Sequence, residues 1–466
     1  MLRYVYMNLV EIVPLIRLPK DAPDTLSYFT SHEVFLGSFV IATIKKRKVV
    51  GVAVKVSPLS DVKSVIRKQD FGLKKIDDVL GGYMLPKEYI RLYSFTAAFF
   101  LTSKNLIFKT ALPNYLSKPS TVVKKFLAEL PAMPFLPSEK DSGEKLVRIV
   151  EGPHEERLQY FIKKIRKTFE EGPANQVLVL FPTQLEAEFF SEYAAKELSI
   201  NPRLFGSWQS IRENAAVWKE AVSGKTKILI GTRNAIFIPL PGFSLIIIDS
   251  EASPYYKAWD TEPKFDARDI ADKLADVFPI TLILGSSLIR EETRERMMHD
   301  THIIREHVGT PKRVPLRVVF LKTDAIKDGA AKNIWSPFGD TLKERIDETL
   351  SLSKKIFLFV GRRGYSANIL CRDCGYVALC KRCEAPLVIH LGKDILVSRF
   401  FLCHKCLARE TPFHVCPECS SHRIQGFGIG TQKIEEDIKS IFPNKKILRI
   451  DSDTSDDPKE LKIIFK

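Results

Sequence analysis

The stretch NQVLVLFPTQLEAEFFSEYAAKEL, residues 175–198, decides the fold class of this chain. A short run of branched apolar residues is followed at once by a segment predicted as a helix. Further along, TKILIGT, FSLIIIDS and ITLILGSS are again short, continuous apolar runs. Such strands between helices are typical of a parallel sheet covered on both faces. The sequence therefore predicts an α/β domain over 148–305.

A second alternation of helix and strand begins near residue 340. TLKERIDETLSLS (341–353) is predicted as a helix and KKIFLFVGRRG (354–364) as the strand after it. The pattern resumes with the helix GTQKIEEDIKSIF (430–442) and the strand KKILRIDSD (445–453). These segments predict a second, incomplete α/β lobe over 306–466.

All eight cysteines lie inside the segment 371–424, which interrupts that second lobe. They form C-x2-C pairs, a spacing that turns two thiolates toward one tetrahedral zinc ion, so four pairs predict two closed Zn2+ sites. Disulfides are disfavoured because no secretion signal is recognised, and iron–sulfur clusters because their spacings are less regular. Spacing alone leaves a nested and a serial pairing open. The predicted ligands are Cys371, Cys374, Cys380, Cys383, Cys403, Cys406, Cys416 and Cys419.

The composition favours nucleic acid as a partner. Lysine and arginine outnumber acidic residues 71 to 56 among 466 residues, a formal charge of +15, and this excess favours phosphate contacts. A solvated lysine surface is an equally good explanation of the charge alone. Because no apolar run is long enough to span a bilayer, we expect a cytoplasmic protein with no membrane partner.

The N-terminal part has a different pattern from the rest of the chain. Residues 1–110 begin with short alternating runs that predict a small β-sheet or barrel. Their basic turn KKRK supplies Lys45, Lys46 and Arg47 as candidate contacts to a nucleic-acid backbone, against solvated surface as the alternative. The proline-, serine- and lysine-rich stretch 111–147 predicts a linker with one helix at most.

Several longer motifs resemble the PriA family, the primosomal replication-restart helicases also called primosomal protein N′. GTRNAIFIPL, LIIIDSEA and PKFDARDIA resemble that family's GTRSALF, DEEH and PRYHARDVA motifs. FVGRRGYSANILC leads into the cysteines as NRRGY does in the family, while GTQKIEEDI and LRIDSDT resemble its GTE and R-x-D-x-DT elements. VFLGSFVIATIKKRKVVGVAV is similar to its N-terminal DNA 3′-end-binding domain, so the resemblance covers most of the chain.

The resemblance implies a domain plan. A β-rich DNA-binding domain would span 1–110, and a linker or reduced winged-helix remnant 111–147. Two RecA-like lobes of a superfamily-2 helicase would follow. Lobe 1 would span 148–305 with a degenerate nucleotide site, and a partial lobe 2 would span 306–466 with the two-zinc module at 371–424.

The resemblance also implies ligands and partners. Members of the family recognise stalled forks, unwind the lagging strand 3′→5′ with ATP and Mg2+, and help to reload the replicative helicase. The implied partners are branched or single-stranded DNA, other primosome and replication-restart proteins, and single-strand-binding protein. In the family the zinc pairs are nested, which favours the inner and outer arrangement here.

At the positions that match the family's strand-contacting motifs, this chain has residue types that suit DNA. An Arg/Thr pair suits phosphate oxygens, and rings interleaved with cations can stack unpaired bases. The alternatives are that the rings pack the lobe surface and that Arg362 and Arg363 cap a strand end. Besides the basic turn, the predicted DNA contacts are Thr232, Arg233, Tyr255, Tyr256, Lys257, Trp259, Arg268, Arg362 and Arg363.

The phosphate-binding loop departs from the family pattern. Such a loop needs glycines whose N–H groups cradle phosphates, followed by a lysine and a Ser/Thr. RIVEGPHEERLQYFIKK (148–164) stands in its place and contains no GK[ST]. Gly152 is kept, but Glu155 and Glu156 lie where phosphates would sit and would repel them. SGKT at 223–226 leads into a strand instead of a helix, so it is not taken as this loop.

Other positions that bind or hydrolyse ATP in the family also differ in this chain. Asp249 is kept as a residual magnesium candidate, but Ser250 replaces the glutamate that orients the attacking water. Glu251 comes one place later, where its side chain is expected to aim elsewhere. The lobe-coupling motif GSATP reads GSSLI at 285–289, and Lys466 precedes the lobe-2 motifs that carry an arginine finger. We expect no ATP hydrolysis and no confident catalytic residue.

Three interpretations of function remain at this point. The leading one is a PriA-like primosomal protein that binds branched or stalled-fork DNA in replication restart, with lost or impaired ATPase activity. The alternative is an active ATP-dependent 3′→5′ DNA helicase with an atypical nucleotide site, so the sequence leaves open whether the chain is an enzyme. A decayed paralogue with only structural zinc would bind DNA no better than any basic protein.

Overall fold

The computed structural model describes residues 7–19, 22–58, 73–131, 146–258, 261–300, 303–310, 338–360, 368–371, 373–390, 400–403, 405–427 and 431–450. The chain divides into two compact units, Met1–Arg313 and Val314–Lys466. The first unit contains both large sheets, and the second contains all the cysteine pairs.

The chain begins with a six-stranded, mainly antiparallel sheet, which confirms the predicted β-rich N-terminal fold. Its strands are β1 (Asn8–Pro14), β2 (Leu26–Thr30), β3 (Phe39–Ile44), β4 (Arg47–Pro58), β5 (Lys74–Lys75) and β6 (Asp78–Leu80), in the order β5-β2-β1-β4-β3-β6. Side chains alternate between the two faces of a strand. On β3 the alternation places Phe39 and Ile41 in one apolar core and Val40 and Ala42 in another.

Three helices follow this sheet: α1 (Lys87–Phe99), α2 (Lys104–Ala111) and α3 (Thr121–Ala128). Ser120 caps α3 by accepting a hydrogen bond from the Val123 N–H group, as its short hydroxyl side chain suits. Val123 and Leu127 are buried in the large core. The stretch expected to be a linker with one helix thus contains a helix that packs against the rest of the unit.

The αβ alternation folds into a seven-stranded sheet in which every adjacent pair is parallel, as predicted. The strand order is β13-β7-β12-β11-β8-β10-β9. In chain order the elements are β7 (Leu146–Glu151), α4 (His154–Glu171), β8 (Gln176–Leu180), α5 (Gln184–Leu198), β9 (Arg203–Phe205), α6 (Ile211–Val222), β10 (Ile228–Gly231), β11 (Phe243–Ile248), α7 (Ala267–Val277), β12 (Thr281–Ser286), α8 (Glu291–His299) and β13 (Ile303–His307).

Helices cover both faces of this sheet. Val177 and Val179 of β8 share a core with α4 and α5, whereas Leu178 and Leu180 belong to the core that also holds residues of α6 and α7. That second core continues without a break into the N-terminal sheet and helices. The N-terminal fold and the parallel sheet are therefore joined by one apolar core.

Aromatic side chains fix this junction. Tyr93 of α1 donates a hydrogen bond of 2.6 Å to the backbone oxygen of Phe237, beyond β10. The ring of Tyr83 meets the ring of Trp218 edge-on, with centroids 5.4 Å apart. Both Tyr93 and Tyr83 are fully buried, and such pairs add to the free energy of burial.

The second unit contains two helices and a small cysteine-rich module. Helices α9 (Asp340–Ser351) and α10 (Thr431–Ile441) share an apolar cluster that includes Ile346 and Phe442. The described parts of the two runs predicted as strands, 354–360 and 446–450, form no strand. The module's strands are β14 (Asn368–Cys371), β15 (Val388–His390), β16 (Phe400–Leu402), β17 (Arg409–Glu410) and β18 (Ile424–Phe427).

Candidate nucleic-acid interface, nucleotide site and metal centres

The predicted functional residues of the first unit collect at one edge of the parallel sheet. Gly152 follows β7, Thr232 follows β10, Asp249 follows β11 and Ser287 follows β12. The carboxyl ends of parallel strands form the edge where α/β proteins bind their ligands. The predicted nucleotide residues and the predicted strand-contacting residues therefore share this edge.

A buried ion pair occupies the position predicted for nucleotide and magnesium. Arg157 donates from Nε to Oδ1 of Asp249 at 2.7 Å and from Nη2 to Oδ2 at 3.1 Å. Its Nη1 donates to the Gly152 backbone oxygen at 2.7 Å and to Ser287 Oγ at 2.8 Å. The side chains of Arg157 and Asp249 are only 2% and 0% exposed. One guanidinium thus joins the ends of three adjacent strands.

The local sequence explains how Arg157 reaches this position. Helix α4 begins just after Pro153, and its buried face carries Leu158 and Phe161 together with Arg157. Helix N-termini attract anions, but the first turn of α4 already carries the exposed carboxylates of Glu155 and Glu156. The expected obstacle to phosphate is therefore present, and Arg157 adds a second one that sequence reasoning missed.

Asp249 is held in its ionised form. Burial by itself raises the pKa of Asp249, but hydrogen bonds from His154 and Arg157 outweigh burial and hold that pKa below its ordinary value. A magnesium ion would have to displace the guanidinium and leave the buried charge of Arg157 without its carboxylate partner, at a cost of about 3–5 kcal/mol. ATP and Mg2+ therefore do not fit the residues present, and the geometry does not favour Asp249 as a magnesium ligand.

Glu251 is also committed to an internal contact. Its Oε1 accepts a hydrogen bond from the Arg290 backbone N–H group at 2.7 Å, and its Oε2 accepts one from Arg290 Nε at 2.9 Å. Thr293 donates a further bond at 3.2 Å, and Glu251 is fully buried. This carboxylate stabilises the start of α8, so it points away from the strand ends, as expected.

The aromatic loop after β11 presents only part of its predicted set. Tyr255 is 62% exposed and Lys257 is exposed as well. Tyr256 is fully buried, and its hydroxyl lies 2.9 Å from the Leu180 backbone oxygen and 2.5 Å from that of Asp249. The ring of Tyr256 fills the core and its hydroxyl donates to a buried carbonyl group, so the structure assigns it a packing role, and its contact with DNA stays an untested prediction.

Arg268 is likewise a structural residue. It is 6% exposed and donates two hydrogen bonds to Asp266, of 2.9 Å and 2.6 Å. It also donates to the backbone oxygens of Glu251 and Ser253, so its guanidinium joins the loop to α7. Because these buried groups use its donors, the structure does not present Arg268 to a ligand, and its contact with DNA stays an untested prediction. Phe265, in the same loop, is buried too.

Thr232 and Arg233 lie half-buried after β10. Arg233 makes long contacts of 3.3 Å and 3.4 Å with the backbone oxygens of Tyr255 and Lys257, and one of 3.4 Å with Thr261 Oγ1. It therefore supports the loop that presents Tyr255. Contact of Thr232 and Arg233 with phosphate stays a prediction. Trp259, Arg362 and Arg363 lie outside the described residues.

The basic turn stands at the tip of a hairpin. Lys45 and Lys46 connect β3 to β4, and Arg47 opens β4; all three side chains are exposed. Lys45 has a φ of 54°, a left-handed conformation that tight hairpin turns require. The three cations are accessible to a polyanion, and their contact with DNA stays a prediction.

A groove within the first unit brings in residues that sequence reasoning missed. It has a volume of about 720 Å3 and is lined by Arg17 and Lys109 from the N-terminal fold and by Trp208, Arg233 and Tyr255 from the α/β domain. Arg17, Lys109 and Trp208 are far apart in sequence. Only the packing of α2 against the strand ends brings them together, and no motif signals it.

The cysteines form two separate four-sulfur clusters. One contains Cys371, Cys374, Cys416 and Cys419, and the other contains Cys380, Cys383, Cys403 and Cys406. The nested pairing is therefore the one observed. The Sγ–Sγ distances between facing pairs are 3.6 and 3.6 Å in the outer cluster and 3.5 and 3.4 Å in the inner one. A tetrahedron of Zn–S bonds has edges of about 3.8 Å, so both clusters fit a zinc ion.

Backbone N–H groups lower the pKa of one thiol in each cluster. Hydrogen bonding from the Cys374 N–H group lowers the pKa of Cys371 to about 6, and that from Cys406 lowers the pKa of Cys403 to about 6. Arg382 N–H donates to Cys380 Sγ at 3.4 Å. A tetrahedral ion bound by four thiolates would have no position left for a reactive water, which is the pattern of a structural site.

Relatives of this chain are replication restart proteins. The 3′DNA-binding domain (3′BD) of PriA matches residues 15–113. Replication restart protein PriA of Synechocystis sp. is 34% identical over 61% of this chain and 34% of its own length. The Bacillus subtilis protein is 28% identical over 68% of this chain and 38% of its own length. The Rickettsia conorii protein is 25% identical over 92% of this chain and 65% of its own length. The match thus spans about a third of the first two relatives.

Among solved structures, RecG bound to a three-way DNA junction is 16% identical and covers 48% of this chain and 30% of its own, with a TM-score of 0.27. That score is too low to support an argument. Within the described residues, no helix has both the length and the apolar character needed to cross a bilayer.

If Asp249 serves as the ion-pair partner of Arg157, replacing it lowers the stability of the protein. Replacing a carboxylate that serves only as a magnesium ligand would leave that stability unchanged or raise it. Asp249→Ala leaves the buried guanidinium of Arg157 without its negatively charged partner, so the free energy of unfolding falls by about 3–5 kcal/mol. Arg157→Leu combined with Asp249→Leu recovers most of that loss, because apolar replacement of a buried pair is close to neutral. Urea unfolding followed by tryptophan fluorescence measures both.

The exposed pair Lys167–Glu171 on the same helix is the control, and Glu171→Ala changes stability by less than about 1 kcal/mol. An Asp249→Ala protein as stable as the unsubstituted chain would contradict a structural role for the pair. A carboxylate kept only to bind a metal adds nothing to the stability of the metal-free protein, or lowers it.

The nested pairing makes a specific prediction for zinc content. Cys371→Ser with Cys416→Ser removes two ligands of the same cluster and leaves about one zinc per chain, whereas Cys371→Ser with Cys380→Ser damages both clusters and leaves close to none. The unsubstituted chain holds about two. Elemental analysis after gel filtration measures the content. A serial pairing reverses the two outcomes, and a wild-type content well below two contradicts zinc at both sites.

Proposed function

We propose that this chain, which is similar to PriA proteins over most of its length, recognises branched or stalled-fork DNA in replication restart without hydrolysing ATP. The observation that carries the proposal is the buried Arg157–Asp249 pair, which fills the nucleotide position with a side chain of the protein itself. Breaking such a pair is costly, so the strand-end edge keeps its shape without nucleotide.

DNA recognition has separate support. The match to the 3′DNA-binding domain covers residues 15–113, and the exposed cations at the tip of the β3–β4 hairpin lie inside it. The chain carries a formal charge of +15, which favours binding through counterion release from phosphate. A 3′ end at a branch is the DNA feature that such a domain would select.

The cysteine-rich module is proposed as the protein-docking part. Two closed zinc sites supply folding energy to a short segment and keep its surface rigid. Other primosome proteins and single-strand-binding protein are the proposed partners, and this role would place the protein with the chromosome in the cytoplasm. Zinc is the proposed metal at both cysteine clusters, and ATP is not a proposed cofactor.

The test combines binding and turnover in the same tubes. Purified full chain is mixed with a forked DNA that has a 3′ end at the branch, and fluorescence anisotropy and phosphate release are recorded together. The expected result is tighter binding to the fork than to a blunt duplex of equal length, with phosphate release no greater than in the protein-free blank.

Two results would contradict the proposal in different ways. DNA-stimulated phosphate release that disappears in Asp249→Asn, with thermal melting to verify folding, would identify a divergent 3′→5′ helicase. Equal affinity for fork and duplex would identify a decayed paralogue whose DNA binding reflects only its basic surface.

A further inference from the structure

The groove between the N-terminal fold and the strand-end edge is a composite of two parts of the first unit. Arg17 follows β1, and Lys109 lies in the last turn of α2. Arg233 and Tyr255 come from the opposite wall, at the carboxyl ends of the parallel strands. Because one apolar core joins these parts, the walls are held at a fixed separation.

The chemistry of the groove is that of a polyanion site. Among the described residues that line the groove, three are cations, Arg17, Lys109 and Arg233, and one, Glu262, is a carboxylate. Within the described part of the chain, neither Arg17 nor Lys109 forms an ion pair. Cations that lack an acidic partner are free to contact phosphate oxygens. Arg17 is exposed and Lys109 half-buried.

Trp208 supplies a prepared aromatic face. A side chain at Gly206 would meet the Trp208 ring at 1.8 Å, so the glycine lets the indole lie directly on the backbone. Asn214 accepts a hydrogen bond from the Gly206 N–H group at 3.2 Å and donates one to its carbonyl group at 2.8 Å. The ring is therefore half-buried and fixed before any ligand arrives.

Cations along a groove with aromatic rings between them are the usual means of holding an unpaired nucleic-acid strand. We infer that this groove holds the unpaired DNA strand next to the branch, with Trp208 stacking on a base and Arg17 and Lys109 contacting phosphates. The inference rests on the proposed function and adds its strand-holding site. Both walls contribute, so the strand is clamped between the N-terminal fold and the α/β domain.

The first variant removes the proposed phosphate contacts. Arg17→Gln with Lys109→Gln in the full chain should weaken binding to a fluorescent dT20 oligonucleotide and lower the slope of log affinity against log salt by about 1.4, for two contacts on a single strand. Lys163→Gln, an exposed lysine of α4 outside the groove, is the matched control. It should change the slope much less.

The second pair of variants tests the ring itself. Trp208→Leu keeps an apolar side chain but removes the stacking face, and should weaken dT20 binding by about tenfold or more, whereas Trp208→Phe should recover most of it. Phe189→Ala, at a 58% exposed ring on α5, should have little effect. Equal binding by the leucine and phenylalanine variants would mean that Trp208 only packs.

The outcomes separate this inference from the function it rests on. If the wild-type chain prefers forks and binds dT20, but the groove variants bind like the wild type with an unchanged salt slope, the groove is not the strand site and the proposed function stands. If the wild-type chain binds neither DNA, both are overturned. Melting temperatures of all variants show whether a loss reflects folding.

Discussion

The buried ion pair between Arg157 and Asp249 is the constraint on which the first unit depends. It lies at the carboxyl ends of three strands, where the guanidinium donates to both oxygens of Asp249, to the Gly152 carbonyl group and to Ser287. Glu251 accepts hydrogen bonds from Arg290 at the start of α8. Nucleotide hydrolysis needs room for phosphates, a metal and a water, and the proposed function is that these internal contacts take that room.

Rigidity extends from this edge into the N-terminal fold. The large apolar core includes Phe39 and Val50 of the first sheet together with Leu178 and Ile246 of the parallel sheet. Tyr93 donates to the backbone just past β10, next to the strand-contacting motif. The N-terminal fold and the parallel sheet share one core and keep their relative geometry, because separating them would expose much apolar surface.

The sequence predicted those features that periodicity and spacing encode. Continuous apolar runs between helices predicted the parallel sheet, and regular cysteine spacing predicted two tetrahedral sites. Spacing left the pairing open, and the family resemblance favoured the nested pairing that the fold has. Motif resemblance identified the aromatic loop but not which of its rings face solvent. Tyr255 and Tyr256 are adjacent, yet one is exposed and the other is in the core, since neighbouring side chains in a short turn point in different directions.

Contacts between distant residues account for most of what the sequence did not predict. In the sequence, Arg157 is one of several basic residues on a charged helix. Only its position on the buried face of that helix makes it the partner of Asp249. Arg268 reads as a cation in a DNA-contacting stretch, but the nearby Asp266 and two backbone oxygens use its donors. Arg17, Lys109 and Trp208 meet only through packing. Such residues become recognisable when partners and burial are known.

Direct nucleotide binding tests the central claim most simply. A fluorescent ATP analogue with Mg2+ is titrated with the full chain, alone and in the presence of forked DNA, and unlabelled ATP is used as the competitor. A site filled by Arg157 predicts no saturable, competable signal in either condition. Saturable binding that ATP reverses and Asp249→Asn abolishes would mean that the guanidinium yields to nucleotide, and that the ion pair is a resting state of a working motor.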